Sequence, residues 1–213
     1  MEDYLQKAAV DSLKSPGGAG KLPKVAGANL YIFRHCETYD NRRRIFSGRR
    51  NTRLTEKGEE QARRLAQGLK EYEIDVAYFP DLIRCKKTME EVLRYHVSAK
   101  KLVEPLLLER DYGKLTGKSK MKAMREHPVE AIGWRRGYRQ GPPGGESLAC
   151  VEARVKPFCR RLEEAIKDEN IKIAVCGTNN TMRMMRRYFE KLSVEQMQVL
   201  ENPYGDWAAY RVS

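Results

Sequence analysis

"NLYIFRHCETYDNRR" (29–43) runs an apolar, β-prone stretch straight into a charged turn. Leu30, Tyr31, Ile32 and Phe33 predict a buried strand. Its carboxyl end delivers Arg34 and His35, and in open α/β sheets ligands bind at that end of a strand. Downstream, strand and helix signals alternate. Thr55 is a good N-cap before "EKGEEQARRLAQGLKEY", where Ala62, Leu65, Ala66 and Leu69 share one helical stripe. "DVAYF" (75–79) and "IKIAVCG" (171–177) read as further strands. "DLIRCKKTMEEVLRYH" (81–96), "ESLACVEARVKPFCRRLEEAIKD" (146–168, bent near Pro157), "NNTMRMMRRYFEKL" and "SVEQMQVL" read as helices, and "WAAYRV" as a closing strand. Residues 103–145 read as loop-rich, with a short helix near 119–126. The alternation predicts an α/β three-layer sandwich, a mainly parallel sheet with helices on both faces. The domain is expected over 29–213. Ahead of it, 1–28 reads as a flexible arm: a short amphipathic helix over 1–14, then the Pro/Gly-rich "SPGGAGKLPKVAGA".

The bulk composition suits one such domain. The chain has 213 residues, 41% apolar and 33% charged. It has no apolar run near the ~18 residues that span a bilayer, so no membrane partner is expected. Five scattered cysteines form no CxxC pair and suggest neither a zinc site nor a disulfide framework, which fits a reducing, cytoplasmic setting. No metal is expected. The net charge of +12 favours an anionic partner. Solvated helix faces explain part of it, but Arg34, Arg42, Arg43, Arg44, Arg49, Arg50, Arg135 and Arg136 gather near possible phosphate-handling segments. Nucleic acid is not the expected partner, since no reader motif or aromatic–basic interleaving is present.

Two neighbouring side chains could attack phosphorus. Cys36 followed by five residues and Arg42 has the spacing of cysteine-dependent phosphatases. Its loop, "ETYDN", has no glycine for a tight phosphate nest and carries Glu37 and Asp40, which repel a phosphate. The histidine reading draws on more of the chain. "FRHCETYDN" resembles the R-H-G-E-[ST]-x-x-N signature of the histidine phosphatase superfamily, the phosphoglycerate mutase-like proteins. Further segments match in order: "IFSGRRNTRLTEKGEEQARRLA" (45–66), "FPDLIRCKKT" (79–88), "LLLERDYGKLTGKSK" (106–120), "GWRRGYRQGPPGGES" (133–147) and "IAVCGTNNTMRMMRRYFE" (173–190). The resemblance spans 29–212.

The resemblance implies phosphoryl transfer on small anionic phosphate esters, of mutase or phosphatase type. His35 would attack in line and form a phosphohistidine, with Arg34 and Arg84 as bidentate clamps. Glu109 would carry the proton, and burial near the leucine run 106–108 would raise its pKa. An ion pair with Arg110 is the plainer use of Glu109. Asn41 and Ser47 match phosphate-side positions. Tyr112, Lys120, Arg135 and Arg136 match residues that hold the carboxylate and distal phosphate in the mutases. The implied partner is a small phosphorylated metabolite, with a bisphosphoglycerate-type phosphate donor and a homodimer as the expected assembly.

Two departures matter. Cys36 stands where the family has glycine, at a point of close backbone approach. Thr178 stands where the family has its second histidine, with Asn179 in place of the following glycine. Losing a donor of that kind costs roughly 3–4 kcal/mol, or ~100- to 1,000-fold in rate. Thr178, Asn179 and Asn180 could still bind phosphate at a helix N-terminus. A slowed enzyme, a non-catalytic phosphate-ligand binder of the same fold, and a residue introduced at this position stay open.

Overall fold

The computed structural model describes Lys7 and residues 21–213. The amphipathic helix expected over 1–14 lies, save Lys7, outside the described residues. The last part of the expected arm, 21–28, runs along the sheet edge: Val25 N–H donates to the Ala209 carbonyl (3.1 Å), and Ala209 N–H to that of Pro23 (2.8 Å).

Among the described residues five strands form one sheet: β1 (Leu30–Arg34), β2 (Val76–Phe79), β3 (Lys100–Val103), β4 (Ile173–Gly177) and β5 (Trp207–Tyr210). Their order is β3-β2-β4-β1-β5. Only β5 runs antiparallel to its neighbour. The period-two alternation of side chains divides each central strand between two cores. Tyr31, Phe33, Ala174 and Cys176 face one helical layer, α2 (Glu56–Leu69) and α3 (Ile83–Val92). Leu30, Ile32, Ile173 and Val175 face the other, α6 (Leu148–Glu169), α7 (Asn179–Glu190) and α8 (Val194–Val199). The three-layer sandwich predicted from the alternation is the observed fold.

Local chemistry sets the helix ends. Thr55 Oγ1 accepts from Gly58 N–H (3.0 Å) and starts α2. A Cβ on Gly58 would sit 2.1 Å from the Glu37 carbonyl, so glycine lets α2 press on the loop that follows His35. α3 lacks a side-chain cap of its own at Leu82; Asn51 Oδ1 accepts from Ile83 N–H instead (3.1 Å). The helix expected over 81–96 stops at Val92 and tightens into a 3₁₀ turn, Leu93–Tyr95. α6 continues past Pro157 as one helix of 22 residues.

The region 100–147 departs most from expectation. β3 extends the sheet, and its Lys100-Lys101 pair is exposed on that edge. After α4 (Lys120–Glu126), a second helix, α5 (Pro128–Arg136), replaces the expected loop. Pro128 opens it, and Ala131 and Trp134 pack it with Phe46, Ala123, Leu115 and Tyr112 into a small separate core. Tyr112, packed on that core, also lines the cavity beyond the carboxyl ends of β1 and β4. There the chain leaves β1 toward the α2–α3 layer and β4 toward the α6–α8 layer, a topological switch point.

Candidate active site

His35 leaves β1 with its N–H on the Gly177 carbonyl (3.0 Å), so the two central strands hold its backbone. The residue is 3% exposed. Nδ1–H donates to the Cys36 carbonyl (2.8 Å). A carbonyl can only accept, so this bond fixes the proton on Nδ1 and leaves the Nε2 lone pair unprotonated. Burial, then the guanidiniums of Arg84 and Arg34, push the imidazole well below the ordinary histidine pKa. The ring is therefore neutral at pH 7, with an unprotonated Nε2.

A cavity of about 50 Å³ faces it, lined by Arg34, His35, Asn41, Ser47, Gly48, Arg84, Glu109, Tyr112, Lys120, Asn179 and Asn180. Ten residues singled out from the sequence thus meet in one place, and Gly48 joins them. Arg84 is 1% exposed, and its Nη1 and Nη2 donate to the carbonyls of Arg50 (2.7 Å) and Gly48 (2.8 Å). Gly48 has φ +52°, a left-handed conformation that favours glycine, in the turn that aims this carbonyl. Arg34 donates from Nη1 to the Asn202 carbonyl (3.1 Å) and lies 4.2 Å over the Tyr204 ring. Both guanidiniums are therefore braced from behind. Arg34 Nε, Arg84 Nε and Ser47 Oγ are buried without a hydrogen-bond partner among the described residues. These are donors of the type a phosphoryl oxygen would satisfy.

Glu109 is 6% exposed, and its Oε1 accepts from Arg110 N–H (2.7 Å) and Asn180 Nδ2 (3.0 Å). The Arg110 guanidinium turns away, donating to the carbonyls of Glu146 (2.6 Å), Arg135 (3.3 Å) and Gln140 (3.4 Å). It ties down the 135–146 segment instead of forming a simple pair with Glu109. Thr38 caps α1 (Tyr39–Arg42) in a capping box with Asn41, whose Oδ1 accepts from the Thr38 hydroxyl (2.9 Å) and N–H (3.2 Å). Lys120 N–H donates to the Arg44 carbonyl (2.8 Å). Burial, then the charges of Arg135 and Arg34, bring its ammonium down to about 7.

Three expected site residues stand apart from the cavity. Thr178 is fully buried as the N-cap residue of α7; its N–H donates to Thr181 Oγ1 (2.9 Å), and the two hydroxyls lie 3.0 Å apart. Its short side chain satisfies itself within its own helix turn, so Asn179 and Asn180, and not Thr178, line the cavity. Arg136 is 2% exposed, donates to the Gln198 carbonyl (2.9 Å) and pairs with Glu201. Because the segment is helical, it projects behind the site, toward α8, where a buried cation needs a carboxylate. Arg135, beside it, is also buried, and burial followed by the charge of Arg136 brings it down to about 10.

Cys36 is fully buried against Leu54 and Ala62, and burial pushes its thiol up to about 12. Arg42, its supposed partner, is exposed, 5.0 Å over the Tyr39 ring. The cysteine-phosphatase arrangement is absent. A side chain replaces glycine here because it points into a small apolar pocket beneath the loop.

Sequence reasoning missed a group behind the cavity. Arg183 (3% exposed) donates to Asn180 Oδ1 (2.9 Å), to the Leu200 carbonyl (2.8 Å) and to Glu201 (3.2 Å). Burial opposes the charge of Glu201, but Arg136 and Arg183 bring its carboxyl down to about 2. Arg183 follows Asn180 by three residues inside a quoted motif, and i,i+3 spacing on a helix puts the two side by side. That signal was available.

The chain matches the family model "Histidine phosphatase superfamily (branch 1)" over residues 30–212. A 2,3-bisphosphoglycerate-dependent phosphoglycerate mutase of Parvibaculum lavamentivorans is 35% identical over 192 residues, covering 86% of this chain and 90% of the relative. The like-named protein of Methanosarcina mazei is 28% identical over 217 residues, covering 87% and 90%. Among solved structures, the α-ribazole phosphatase of Shigella flexneri superposes with a TM-score of 0.74 at 25% identity, covering 84% of this chain and 88% of that one. A mycobacterial glucosyl-3-phosphoglycerate phosphatase in complex with VO3 shares the fold, with a TM-score of 0.75 at 22% identity and coverage of 85% and 90%. An ordered match across nearly every described residue, with curated mutase relatives and solved phosphatases of the same fold, shows that this chain belongs to the histidine phosphatase superfamily.

Proposed function

We propose that the protein transfers the phosphoryl group of small anionic phosphate esters through a phosphohistidine at His35, inside a reducing cytoplasm. One observation carries this reading: a buried, neutral imidazole with Nδ1 anchored to a carbonyl faces a cavity that holds two arginines and a carboxyl group. Nε2 attacks phosphorus in line, Arg34 and Arg84 neutralise the equatorial oxygens, and Glu109 protonates the leaving oxygen. The acceptor, a second hydroxyl or water, decides between mutase and phosphatase. Lys120 in the cavity favours a substrate with a second anionic group, such as a phosphoglycerate. Arg136 held by Glu201 leaves fewer free cations for it than the sequence motif implies. The curated relatives take their name from 2,3-bisphosphoglycerate, which we propose as the type of donor that loads His35.

The test is single-turnover labelling with ³²P-2,3-bisphosphoglycerate. Acid-labile, base-stable label on the unaltered protein and none on His35→Asn supports the reading. No label while the compound still binds refutes turnover. The second reading, a non-catalytic phosphate-ligand binder, is favoured by Thr178, whose hydroxyl is held by Thr181 and supplies no donor in the cavity.

A further inference from the structure

Glu109 could protonate a leaving oxygen only if one carboxylate oxygen is held and the other is turned to the cavity. Two donors hold Oε1: the Arg110 N–H, one residue away, and the Asn180 carboxamide, from a different element. The Asn180 carboxamide is itself engaged at both ends. Nδ2 donates to Glu109 Oε1 (3.0 Å) and to the Tyr112 hydroxyl (3.1 Å), while Oδ1 accepts from Arg183 Nη1 (2.9 Å). Arg183 can only donate, so it fixes which end of the amide faces Glu109. Arg183 is in turn held by the Leu200 carbonyl and by Glu201. Glu109, Asn180 and Arg183 are buried and Glu201 is partly so, and such chains of hydrogen bonds are rigid where water is excluded.

We infer that Asn180 is a positioning residue for Glu109, with Arg183 and Glu201 fixing Asn180, and not chiefly a phosphate ligand. This inference rests on the phosphoryl-transfer reading above. In the step concerned, the His35 Nε2 lone pair forms the P–N bond as the ester P–O bond breaks. The departing oxygen keeps the bonding pair and takes the Glu109 proton, leaving an alcohol, a carboxylate and phosphohistidine. Loss of Asn180 lets the carboxyl rotate and leaves Arg183 facing an unpaired site.

A proton-positioning role depends on the leaving group; a phosphate-binding role does not. An alkoxide leaves only with a proton, whereas p-nitrophenolate leaves without one. The experiment compares kcat and KM for 3-phosphoglycerate and p-nitrophenyl phosphate in the unaltered protein, Asn180→Ala, Arg183→Lys, Glu109→Gln and Arg84→Met. Asn180→Ala is expected to lose kcat about tenfold more on the alkyl ester than on the aryl ester, with KM nearly unchanged. Glu109→Gln should split the two substrates in the same sense and further, Arg183→Lys in the same sense and less. Arg84→Met should lower both alike. An equal loss on both esters for Asn180→Ala, or a change in KM alone, overturns the inference while phosphoryl transfer stands. No turnover of either ester by the unaltered protein overturns both. Melting curves accompany each variant; if Asn180→Ala does not fold, Asn180→Ser, which is too short to reach Glu109, is read by the same split.

Discussion

Lys120 gives the candidate site a pH dependence that can be worked out in advance. Its ammonium titrates near 7, brought there by burial and by the charges of Arg135 and Arg34. At pH 6 about nine-tenths of the sites are charged, and at pH 9 about one in a hundred. An ammonium 4 Å from an oxyanion is worth about 4 kcal/mol at an effective dielectric of 20, and partial exposure and desolvation reduce this to roughly 2 kcal/mol. Sulfate, which does not itself titrate in this range, should therefore bind ~10- to 30-fold more weakly at pH 9 than at pH 6. The fall should begin near pH 7 and then level off. Binding at pH 7 should also take up about half a proton, because the anion pulls the ammonium pKa back up. His35 lies well below its usual value, Arg135 near 10, and Cys36 and Tyr204 near 12, whereas Arg183, near 9, begins to titrate at the top of the range, so the Lys120 step is read between pH 6 and 8. Calorimetry at constant ionic strength, repeated in buffers of different ionisation heat, measures both the affinity and the proton count. Lys120→Met should bind like the unaltered protein at pH 9 and show a nearly flat profile from pH 6 to 8. A flat profile without proton uptake in the unaltered protein would refute the assignment of Lys120 to the anion site.

Thr178→His should raise kcat for phosphate release ~100- to 1,000-fold if the remaining machinery is intact, at a stability loss of about 1 kcal/mol from the lost helix cap, read by melting. As pH falls below the ordinary histidine pKa, the unfolded chain binds a proton at His35 that the folded chain refuses, so stability drops; His35→Asn should remove up to about 1.4 kcal/mol per pH unit from that acid slope in urea titrations. A thiol-specific disulfide reagent should find one fast cysteine in the native protein, Cys150, which is exposed and whose thiol is lowered by hydrogen bonding to Ser147, while Cys36, Cys85, Cys159 and Cys176 react only on unfolding.

The central layers were legible because their signal is local and strong. β1 and β4 are apolar at nearly every position, as strands buried on both faces must be, and α2 carries a cap and a clean stripe. α5 was not legible: Gly133 and paired arginines interrupt its pattern, and its packing on Phe46 and Ala123 comes from segments far away in sequence. β3 was missed for a related reason. Two exposed lysines open it, which suits an edge strand but removes the alternation a reader looks for.

Net charge misled in a more instructive way. Counting arginines suggested a cradle of free cations, and the structure divides them into three kinds. Arg42 and Arg43 are exposed. Arg110 and Arg136 hold carbonyls or carboxylates and support the fold around the site. Arg34 and Arg84 are braced by carbonyls yet keep an unpartnered Nε beside His35. Sequence spacing cannot separate these kinds, because a guanidinium's role depends on which acceptors the tertiary fold brings within 3 Å. The carboxylates that decide the matter are remote: Glu201 meets Arg136 across a sequence gap of 65 residues and Arg183 across 18. A buried arginine without such a partner would lower the pKa of its neighbours and oppose its own burial. Glu201 therefore makes it possible to keep Arg136 and Arg183 charged behind the cavity while Arg34 and Arg84 stay available in front of it. On this argument Glu201→Gln, whose side chain bonds Arg136 and Arg183 and reaches the lining residues Lys120 and Arg34 only through its charge, should cost about 3 kcal/mol or more of stability in urea titrations and less than that in sulfate affinity by calorimetry.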